Sequence, residues 1–320
     1  MRRPAHIDPE YLELSFVVAR EFSGWRADRY VAYRIPRLSR TKVQRILAAG
    51  AFDDDGNPVK PNRPLRAGER ITIYKEPPVE PDAPRTFGVL MEDEWMLAVD
   101  KPACLPVHPS ARYYKNTLTT LLEERYGTPR PAIAHRLDSE TSGIVLCAKG
   151  LDAERTLKRM FAERRMRKTY LAVVRGAIEP PEGRIEAPLS QDTNSAIHVK
   201  MGCGDPAGLP SLTEYRTTER RGDLSLLELR PRTGRQHQIR AHLAHVGHPI
   251  VGDKMYGPDE ALFLEYLETG LTDDIVRRAG HTRQALHAAA LEFDHPYTGV
   301  RTRVTSPLPE DIRALLGGPP

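Results

Sequence analysis

The sequence predicts an α+β fold in two domains, and three observations lead to this expectation. The chain has 320 residues, which is enough for one sizeable core and a small accessory domain. A proline-rich segment interrupts the composition in the N-terminal third. Beyond it, strand and helix patterns mingle without a strict βαβ rhythm, which favours a mixed, mainly antiparallel central sheet.

The proline-rich segment KEPPVEPDAPRT separates the two predicted domains. Its four prolines forbid a continuous helix and favour an extended linker. We therefore assign residues 1–76 to a small α/β N-terminal domain, 77–86 to a linker, and 87–310 to a larger α+β domain.

A basic helix is the main feature of the N-terminal domain. The stretch SRTKVQRILAAG predicts a helix that is capped by Ser39 and ends at Gly50, because Val43 and Leu47 lie one turn apart. The alternating run ITIY at 71–74 predicts a strand that closes the unit. The other faces of the helix carry basic side chains, namely Arg40, Lys42 and Arg45.

These basic side chains admit two interpretations. On charge alone a solvated face is the commoner explanation, since the whole chain has a formal net charge of only +4. However, the order of helix, glycine turn and closing strand resembles the S-four type RNA-binding domain, which implies that Arg40, Lys42 and Arg45 contact RNA. Three acids at 53–55 stand in the turn of that domain, and we expect them to weaken nonspecific binding to phosphate.

Composition excludes several classes of protein. Cys104, Cys147 and Cys203 lie far apart and form no C-x-x-C pair, so neither a disulfide framework nor a zinc knuckle is indicated. No segment approaches the roughly 18 uncharged residues that a membrane-spanning helix requires. We expect a cytoplasmic protein without a membrane partner, acting as a monomer.

The larger domain shows several strand and helix patterns in succession. WMLAVDKP and GIVLCAK read as strands, and NTLTTLLEERYG as a helix capped near Asn116 and stopped at Gly127. YLAVV and LSLLEL are further strands, and residues 236–245 suggest a helix. The segment 258–284 is an insertion with only weak apolar periodicity, and the sequence indicates no role for it.

Arginines and histidines alternate in RPRTGRQHQIRAHLAHVGHPIVGDKMYG. His242 and His245 lie one helical turn apart, so a metal site is one interpretation. No H-E-x-x-H pattern is present and the nearest following acid is Asp253, which makes histidines bonded in the core the commoner explanation. The arginines suit phosphate or carboxylate, whose geometry matches the guanidinium fork. We therefore predict no metal ligands.

A single acid, Asp138, stands among small hydroxylated residues in HRLDSETSG. One interpretation is a turn or cap residue, the ordinary role of Asp among Ser and Thr. Five separated segments point elsewhere when they are taken in order: DKPACLPVHP, HRLDSETSGIVLCAKG, RKTYLAVVRG, TGRQHQIRAHL and ALHAAALEFDHP. Together they resemble the RluA family of RNA pseudouridine synthases, over residues 95–296.

The resemblance implies a pseudouridine synthase fold and an essential carboxylate at Asp138. This residue is expected to act on the ribose anomeric carbon, on the uracil ring, or through a glycal route. A buried carboxylate that stays ionised requires a cationic partner. The resemblance gives that role to Arg235, with Arg240 as the second choice.

The remaining site residues follow from the same resemblance. Tyr170 is expected to pack on the flipped uracil, and Arg136 to fill the gap that the nucleotide leaves. Ile239 and Leu243 are expected to form the apolar floor of the site. The reaction requires no cofactor and no metal.

The predicted partner is RNA, with ribosomal RNA preferred. Transfer RNA is the alternative within the same class of enzyme. A noncatalytic RNA-binding factor for ribosome assembly is the alternative from another class, and the joint presence of Asp138, Tyr170 and Arg235 argues against it.

Overall fold

The computed structural model describes residues 3–35, 38–77, 79–110, 113–257 and 259–317. The chain divides into two compact units, Met1–Val79 and Glu80–Pro320. Each unit has its own buried apolar core. Among the helices of the described ranges, none is long and apolar enough to cross a membrane.

The smaller unit has a three-stranded antiparallel sheet, two α-helices and one short 3₁₀ helix, Arg20–Phe22, among its described residues. Its elements are β1 Leu12–Val17, α1 Ala27–Arg34, α2 Arg40–Gly50, β2 Ala51–Phe52 and β3 Arg70–Lys75, with β3 central in the sheet. The helix predicted from the Ser39 cap is confirmed, because the Ser39 hydroxyl accepts the amide of Lys42 at 3.3 Å. Val43 and Leu47 pack in the core of this unit, as their spacing predicts.

A buried acid joins the two helices of this unit. The Asp28 carboxylate accepts hydrogen bonds from Arg26 at 3.0 Å and from Arg40 at 3.3 Å. The hydrogen bond from Arg26 outweighs the effect of burial and holds the pKa of Asp28 far below its usual range. Arg40, predicted as an RNA contact, therefore also ties α2 to α1. Lys42 and Arg45 are exposed.

The larger unit contains twelve further strands and six helices among the described residues. The strands are β4 Gly88–Glu92, β5 Met96–Lys101, β6 Ala132–Ile133, β7 Ser142–Ala148, β8 Arg167–Arg175, β9 Glu182–Glu186, β10 Leu189–Gln191, β11 Met201–Cys203, β12 Leu212–Arg221, β13 Leu224–Pro231, β14 Leu286–Asp294 and β15 Arg301–Thr305. The helices are α3 Leu118–Tyr126, α4 Leu151–Ala162, α5 Gln238–His245, α6 Ala261–Thr269, α7 Asp273–Ala279 and α8 Glu310–Ala314.

One large sheet organises this unit. Its strand order is β4-β5-β7-β14-β8-β13-β12-β9, with β15 on β14 and β6 on β7. Among the strands that the structure describes, β7 and β14 pair in parallel and the other neighbours in this sheet pair antiparallel. The predicted mixed, mainly antiparallel sheet is therefore confirmed.

The parallel pair lies in the middle of the sheet and depends on a glycine. Gly143 has φ +107°, and a Cβ there would lie 2.3 Å from the carbonyl oxygen of Ala288. The Ser142 hydroxyl meets Nδ1 of His287 at 3.0 Å across the same junction. This close approach sets where β7 begins, and the loop that carries Asp138 leads directly into it.

Two helix starts differ from the sequence prediction by one or two residues. The cap of α3 is Thr117 rather than Asn116, and its hydroxyl accepts the amide of Thr120 at 3.3 Å. Helix α5 begins at Gln238 rather than 236, because His237 has left-handed backbone geometry with φ 54°. The residues before His237 are therefore loop.

The second half of the predicted linker is bonded within the larger unit. The carboxylate of Glu80 accepts the amides of Lys115 and Asn116, each at 2.7 Å. Arg85 donates to the side chains of Asn116 at 2.7 Å and Glu124 at 3.1 Å. Glu80 and Arg85 are thus bonded to α3 and to the residues just before it.

Candidate active site

A cavity of about 1830 Å³ opens in the larger unit. It is lined by five of the residues that the sequence analysis assigned to the site: Arg136, Asp138, Tyr170, Arg235 and Arg240. Pockets for small molecules usually measure about 300–1,000 Å³. The size of this cavity suits a stretch of polymer rather than a single small ligand.

Asp138 lies on the loop between β6 and β7, at the wall of this cavity. The amide of Thr141 donates to the Asp138 carbonyl at 3.2 Å, so the acid begins a tight turn. About one third of its side chain, 33%, is exposed to the cavity. One carboxylate oxygen, Oδ2, accepts a hydrogen bond from Nη1 of Arg240 at 2.7 Å. Asp138 is therefore both ion-paired and accessible.

Arg240 is held by a second, fully buried acid. Its Nε and Nη2 donate to the two oxygens of Asp253 at 2.6 and 2.9 Å. Asp253 in turn accepts the amides of Met255 and Tyr256, both at 3.0 Å. The planar guanidinium thus bridges a structural carboxylate and the carboxylate at the cavity, which fixes the orientation of both.

The charges of this group keep Asp138 ionised. Burial alone would raise the pKa of Asp138, but the positive charge of Arg240 and its hydrogen bond lower it below the usual value. Burial would likewise lower the pKa of Arg240, yet the charges of Asp253 and Asp138 raise it. At neutral pH the cavity therefore presents a carboxylate that is anionic and oriented.

The predicted ion pair between Arg235 and Asp138 is wrong, because Arg240 occupies that place. Arg235 lines the same cavity but forms no ion pair with any described residue. Its Nε atom is buried without a hydrogen-bond partner in the part of the chain that the structure describes. The left-handed His237 separates the two arginines, so that Arg235 lies in the loop and Arg240 on α5.

Tyr170 reaches the cavity from β8. Its side chain is largely buried and lines the same cavity as Asp138. Burial raises the pKa of Tyr170, and the negative charge of Asp138 acts in the same direction. The phenol therefore stays protonated at neutral pH, and what it offers a ligand is a ring face and a hydroxyl donor.

The predicted apolar floor is placed differently from the expectation. Ile239 and Leu243 are buried on α5, in the same apolar cluster as Tyr170. Neither is among the described residues that line the cavity. They pack beneath the site because helical spacing places Ile239 and Arg240 on different sides of α5.

The loop that carries Asp138 is held by buried polar side chains. Lys101 is fully buried and donates to three carbonyl oxygens, among them that of Ser139 at 3.0 Å. Burial lowers the pKa of Lys101 to about 7. Lys254 donates to Glu140 at 2.9 Å, and Gln284 donates to the hydroxyl of Thr141 at 2.6 Å. Every residue of the turn is therefore tied to the surrounding structure.

Histidines of the predicted arginine and histidine cluster are hydrogen-bonded within the fold. The ring nitrogens of His242 meet the hydroxyl of Thr213 and the carbonyl of Ala187, both at 3.0 Å. His237 contacts the hydroxyl of Tyr256 at 3.1 Å and lies 4.0 Å from Asp138. Burial, with the charge of Arg240, lowers the pKa of His237 to about 4. In the described ranges no group of three His, Cys, Asp or Glu residues could hold a metal ion.

Several further basic side chains line the cavity. Four of its arginines form no ion pair with a described residue: Arg136, Arg164, Arg167 and Arg235. Lys168 lies beside them, and burial lowers its pKa. Unpaired guanidinium groups in a cleft are available to phosphate oxygens.

Sequence reasoning missed several residues of this site. It did not assign Asp253, His237, Lys101 or Gln284, although each braces Asp138 or its partner. A signal for Asp253 was present, because GDKMYG places an acid after the arginine motif. From the sequence, Asp253 was considered only as a possible metal ligand.

The cleft, with an anionic carboxylate and unpaired arginines among its described residues, suits a polyanionic polymer. The family described as RNA pseudouridylate synthase matches residues 96–245. An uncharacterised RNA pseudouridine synthase of Chloroflexus aurantiacus is 38% identical over 304 residues, covering 91% of this chain and 89% of that protein. A ribosomal large subunit pseudouridine synthase D of Xanthomonas campestris is 38% identical over 308 residues, covering 94% of this chain and 90% of that protein.

A solved structure agrees with these relatives. Human RNA pseudouridylate synthase domain containing 1 matches with a TM-score of 0.57 at 28% identity, covering 72% of this chain and 86% of that chain. The chain therefore belongs to the RNA pseudouridine synthase family. The predicted family and its α+β fold are confirmed.

Proposed function

We propose that this pseudouridine synthase isomerises uridines of large-subunit ribosomal RNA, with Asp138 as its catalytic group. The observation that carries the proposal is the Asp138 carboxylate, which pairs with Arg240 at 2.7 Å yet stays open to a large basic cavity. The preference for large-subunit RNA is supported by relatives that bear that name, such as the one from Xanthomonas campestris.

The chemistry requires an ionised carboxylate at the ribose and uracil. The bond between uracil N1 and ribose C1′ breaks, the base turns, and a bond between C5 and C1′ forms. The proton lost from C5 is balanced by one gained at N1, so no electrons are transferred and the proposal needs no cofactor. Attack on C1′, attack on the ring and the glycal route each begin from anionic Asp138, which Arg240 maintains.

The other lining residues have separate roles in this proposal. A base within a stack cannot reach Asp138, so the target uridine is flipped into the cavity. Tyr170 supplies a ring for the flipped uracil, and Arg136 takes the space that the nucleotide leaves. Arg235 contacts phosphate, which would satisfy its buried and unpartnered Nε. Arg240 acts on the reaction through Asp138.

The smaller unit completes the proposal as an S-four-like RNA-binding domain. Its exposed Lys42 and Arg45 lie on α2, and Arg40 is 62% exposed despite its bond to Asp28. Asp53 pairs with Arg63 at 3.1 Å, which reduces the repulsion that the acids of the turn would exert on RNA. The three cysteines are free, which fits action in the cytoplasm, and we propose that the enzyme acts as a monomer.

Mapping of pseudouridines in cellular RNA tests this proposal. Ribosomal and transfer RNA would be compared between cells with the gene, cells without it, and deleted cells that express either the wild-type protein or Asp138→Asn. We expect at least one pseudouridine of large-subunit RNA to disappear on deletion and to return only with the wild-type protein.

Other outcomes would overturn parts of the proposal. Loss confined to transfer RNA would leave the enzyme class intact and change the target. Restoration by Asp138→Asn would remove the catalytic role of Asp138. Unchanged pseudouridine in both RNA classes would favour the noncatalytic assembly factor.

A further inference from the structure

The weakly patterned segment after residue 258 forms α6 and α7, and α6 borders the cavity. Phe263, Tyr266 and Leu267 recur at helical spacing and all three line the cavity that contains Asp138. Val199, on the loop before β11, lines it as well. This part of the cleft is apolar and aromatic, whereas the lining around Asp138 is basic.

Glu260 joins the loop of Val199 to the start of α6. Its Oε1 accepts the Ser195 hydroxyl and the Ala196 amide, both at 2.9 Å. Its Oε2 pairs with Lys200 at 2.7 Å, directly after Val199 in the chain. The loop and the helix are therefore a single structural element at the edge of the cavity.

Helix α7 fixes α6 from behind. Leu262, Ile275 and Ala279 form a buried apolar cluster between the two helices. Arg278 on α7 pairs with Glu265 on α6 at 2.6 Å. Phe263 and Tyr266 also pack partly against buried apolar clusters, whereas Val199 and Leu267 belong to none of the clusters of the described residues.

The apolar residues at the cavity remain accessible. Leu267 is 48% exposed and Val199 is 53% exposed. Of the two glutamates on this helix, Glu265 is already paired with Arg278, and the exposed Glu268 disfavours phosphate at the C-terminal end of the helix. An exposed apolar surface inside a cleft for RNA is suited to the faces of bases instead.

We propose that Val199, Tyr266 and Leu267 form a wall that packs against an unpaired nucleotide next to the target uridine. This inference rests on the proposed function, since it concerns the RNA that enters the same cavity. Flipping a uridine deprives its neighbours of a stacking partner. The apolar wall replaces that partner while the unpaired arginines hold the phosphates, and it thereby selects targets whose neighbouring nucleotide can unstack.

Kinetics with a matched control test the wall. The double variant Val199→Ala, Leu267→Ala removes its two most exposed side chains, and Leu264→Ala is the control. Leu264 is 37% exposed on the same helix but does not line the cavity among the described residues. The assay is tritium release from carbon five of the target uridine, in an RNA fragment that contains the mapped position.

We expect the double variant to raise KM by about fivefold, because it removes apolar side-chain area that packs on the base, with kcat unchanged. Leu264→Ala should match the wild type in both constants. Two further RNAs carry an abasic nucleotide on the 5′ side or on the 3′ side of the target. We expect one of them to raise the KM of the wild-type enzyme by the same factor. The double variant should then show no further loss on that RNA.

Two results would overturn the wall. One is an unchanged KM for the double variant with a melting temperature like that of the wild type. The other is an equal effect of Leu264→Ala, which would indicate a general effect on α6. An absence of tritium release by the wild-type enzyme is a distinct result, because it would contradict the proposed function itself.

Discussion

Arg240 has two carboxylate partners, and this sharing explains how the partly buried Asp138 stays both ionised and oriented. An arginine that paired with Asp138 alone could follow it in several rotamers. The bidentate bond to Asp253, at 2.6 and 2.9 Å, leaves one nitrogen directed at Asp138. Breaking a buried pair by removing one partner leaves an uncompensated charge, so each member of this group depends on the others.

The two arginines of the motif can be distinguished by lysine substitutions. Arg240→Lys keeps the charge but loses the planar fork, so we expect kcat to fall by at least about 100-fold through misplacement of Asp138. Arg235→Lys should leave kcat within about twofold and raise KM, because Arg235 forms no ion pair with Asp138 and we propose that it contacts substrate phosphate. Tritium-release kinetics measure both constants. An inactive Arg235→Lys beside an active Arg240→Lys would return the ion-pair role to Arg235.

The wrong prediction for Arg235 shows that spacing along the sequence does not determine which arginine pairs with Asp138. Arg235 and Arg240 stand in one short motif, and either could pair with an acid about a hundred positions away in the chain. The choice depends on His237, whose left-handed geometry delays the start of α5. A non-glycine residue in that conformation gives little signal in a single sequence.

At the scale of elements, the segment that leads into β7 is fixed by a neutral histidine. Nε2 of His135 accepts the amide of Leu146 at 3.1 Å, which holds the start of the HRLD segment on the strand. Burial lowers the pKa of His135 to about 3, and the charge of Lys168 acts in the same direction. Protonation would remove the acceptor, so this contact is sensitive to acid.

This sensitivity predicts a pH dependence of stability. In the unfolded chain the pKa of His135 is about 6.5, whereas in the folded chain it is about 3. Between these two pH values the unfolded state binds a proton that the folded state does not. The contribution of His135 is therefore complete above about pH 6.5 and is lost as pH falls. His135→Gln keeps a hydrogen-bond acceptor but cannot titrate. We therefore expect the free energy of unfolding in urea to depend less on pH in this variant, with a slope lower by up to about 1.4 kcal/mol per pH unit. The exposed His198→Gln is the control, and an equal slope in the two variants would contradict the account.

The elements also differ in how visible they are to sequence reasoning. Helix α2 follows from its Ser39 cap, its apolar spacing and Gly50, since all three signals are local. Helix α6 gives a weak apolar periodicity, because Leu262 is its one fully buried residue among those described. Its other large apolar residues include Phe263, Tyr266 and Leu267, which line the cavity. A surface that is exposed for a ligand lacks the periodicity of a helix packed on a core.

At the scale of the molecule, the fold could be predicted because separated motifs agree in order, whereas the contacts between them could not. The strand patterns indicated the mixed sheet, but its order places β14 beside β7 and β8 across long stretches of chain. The boundary between the two units, at Val79 and Glu80, falls within the predicted linker 77–86. Glu80 and Arg85 looked like linker residues in composition, and only their hydrogen bonds assign them to the larger unit.

A deletion that removes the smaller unit should therefore end at Val79 and leave Glu80 in place. We expect residues 80–320 to fold and to retain activity on short RNA, with weaker binding to the natural target. Each lost phosphate contact should reduce the slope of log affinity against log salt by about 0.7 on single-stranded RNA. The full-length double variant Lys42→Gln, Arg45→Gln should show part of the same change. An unchanged slope in both proteins would make α2 a solvated face.

The central claim is that the ionised Asp138 carries out the isomerisation, and Asp138→Asn tests it most directly. The amide has the same shape but is a poor nucleophile, so the fold and the RNA affinity should persist. Tritium release from RNA labelled at uracil carbon five, followed at saturating enzyme, measures the reaction alone. The account predicts release at the background rate with RNA affinity like that of the wild type. Release by Asp138→Asn at a rate near the wild-type value would contradict it.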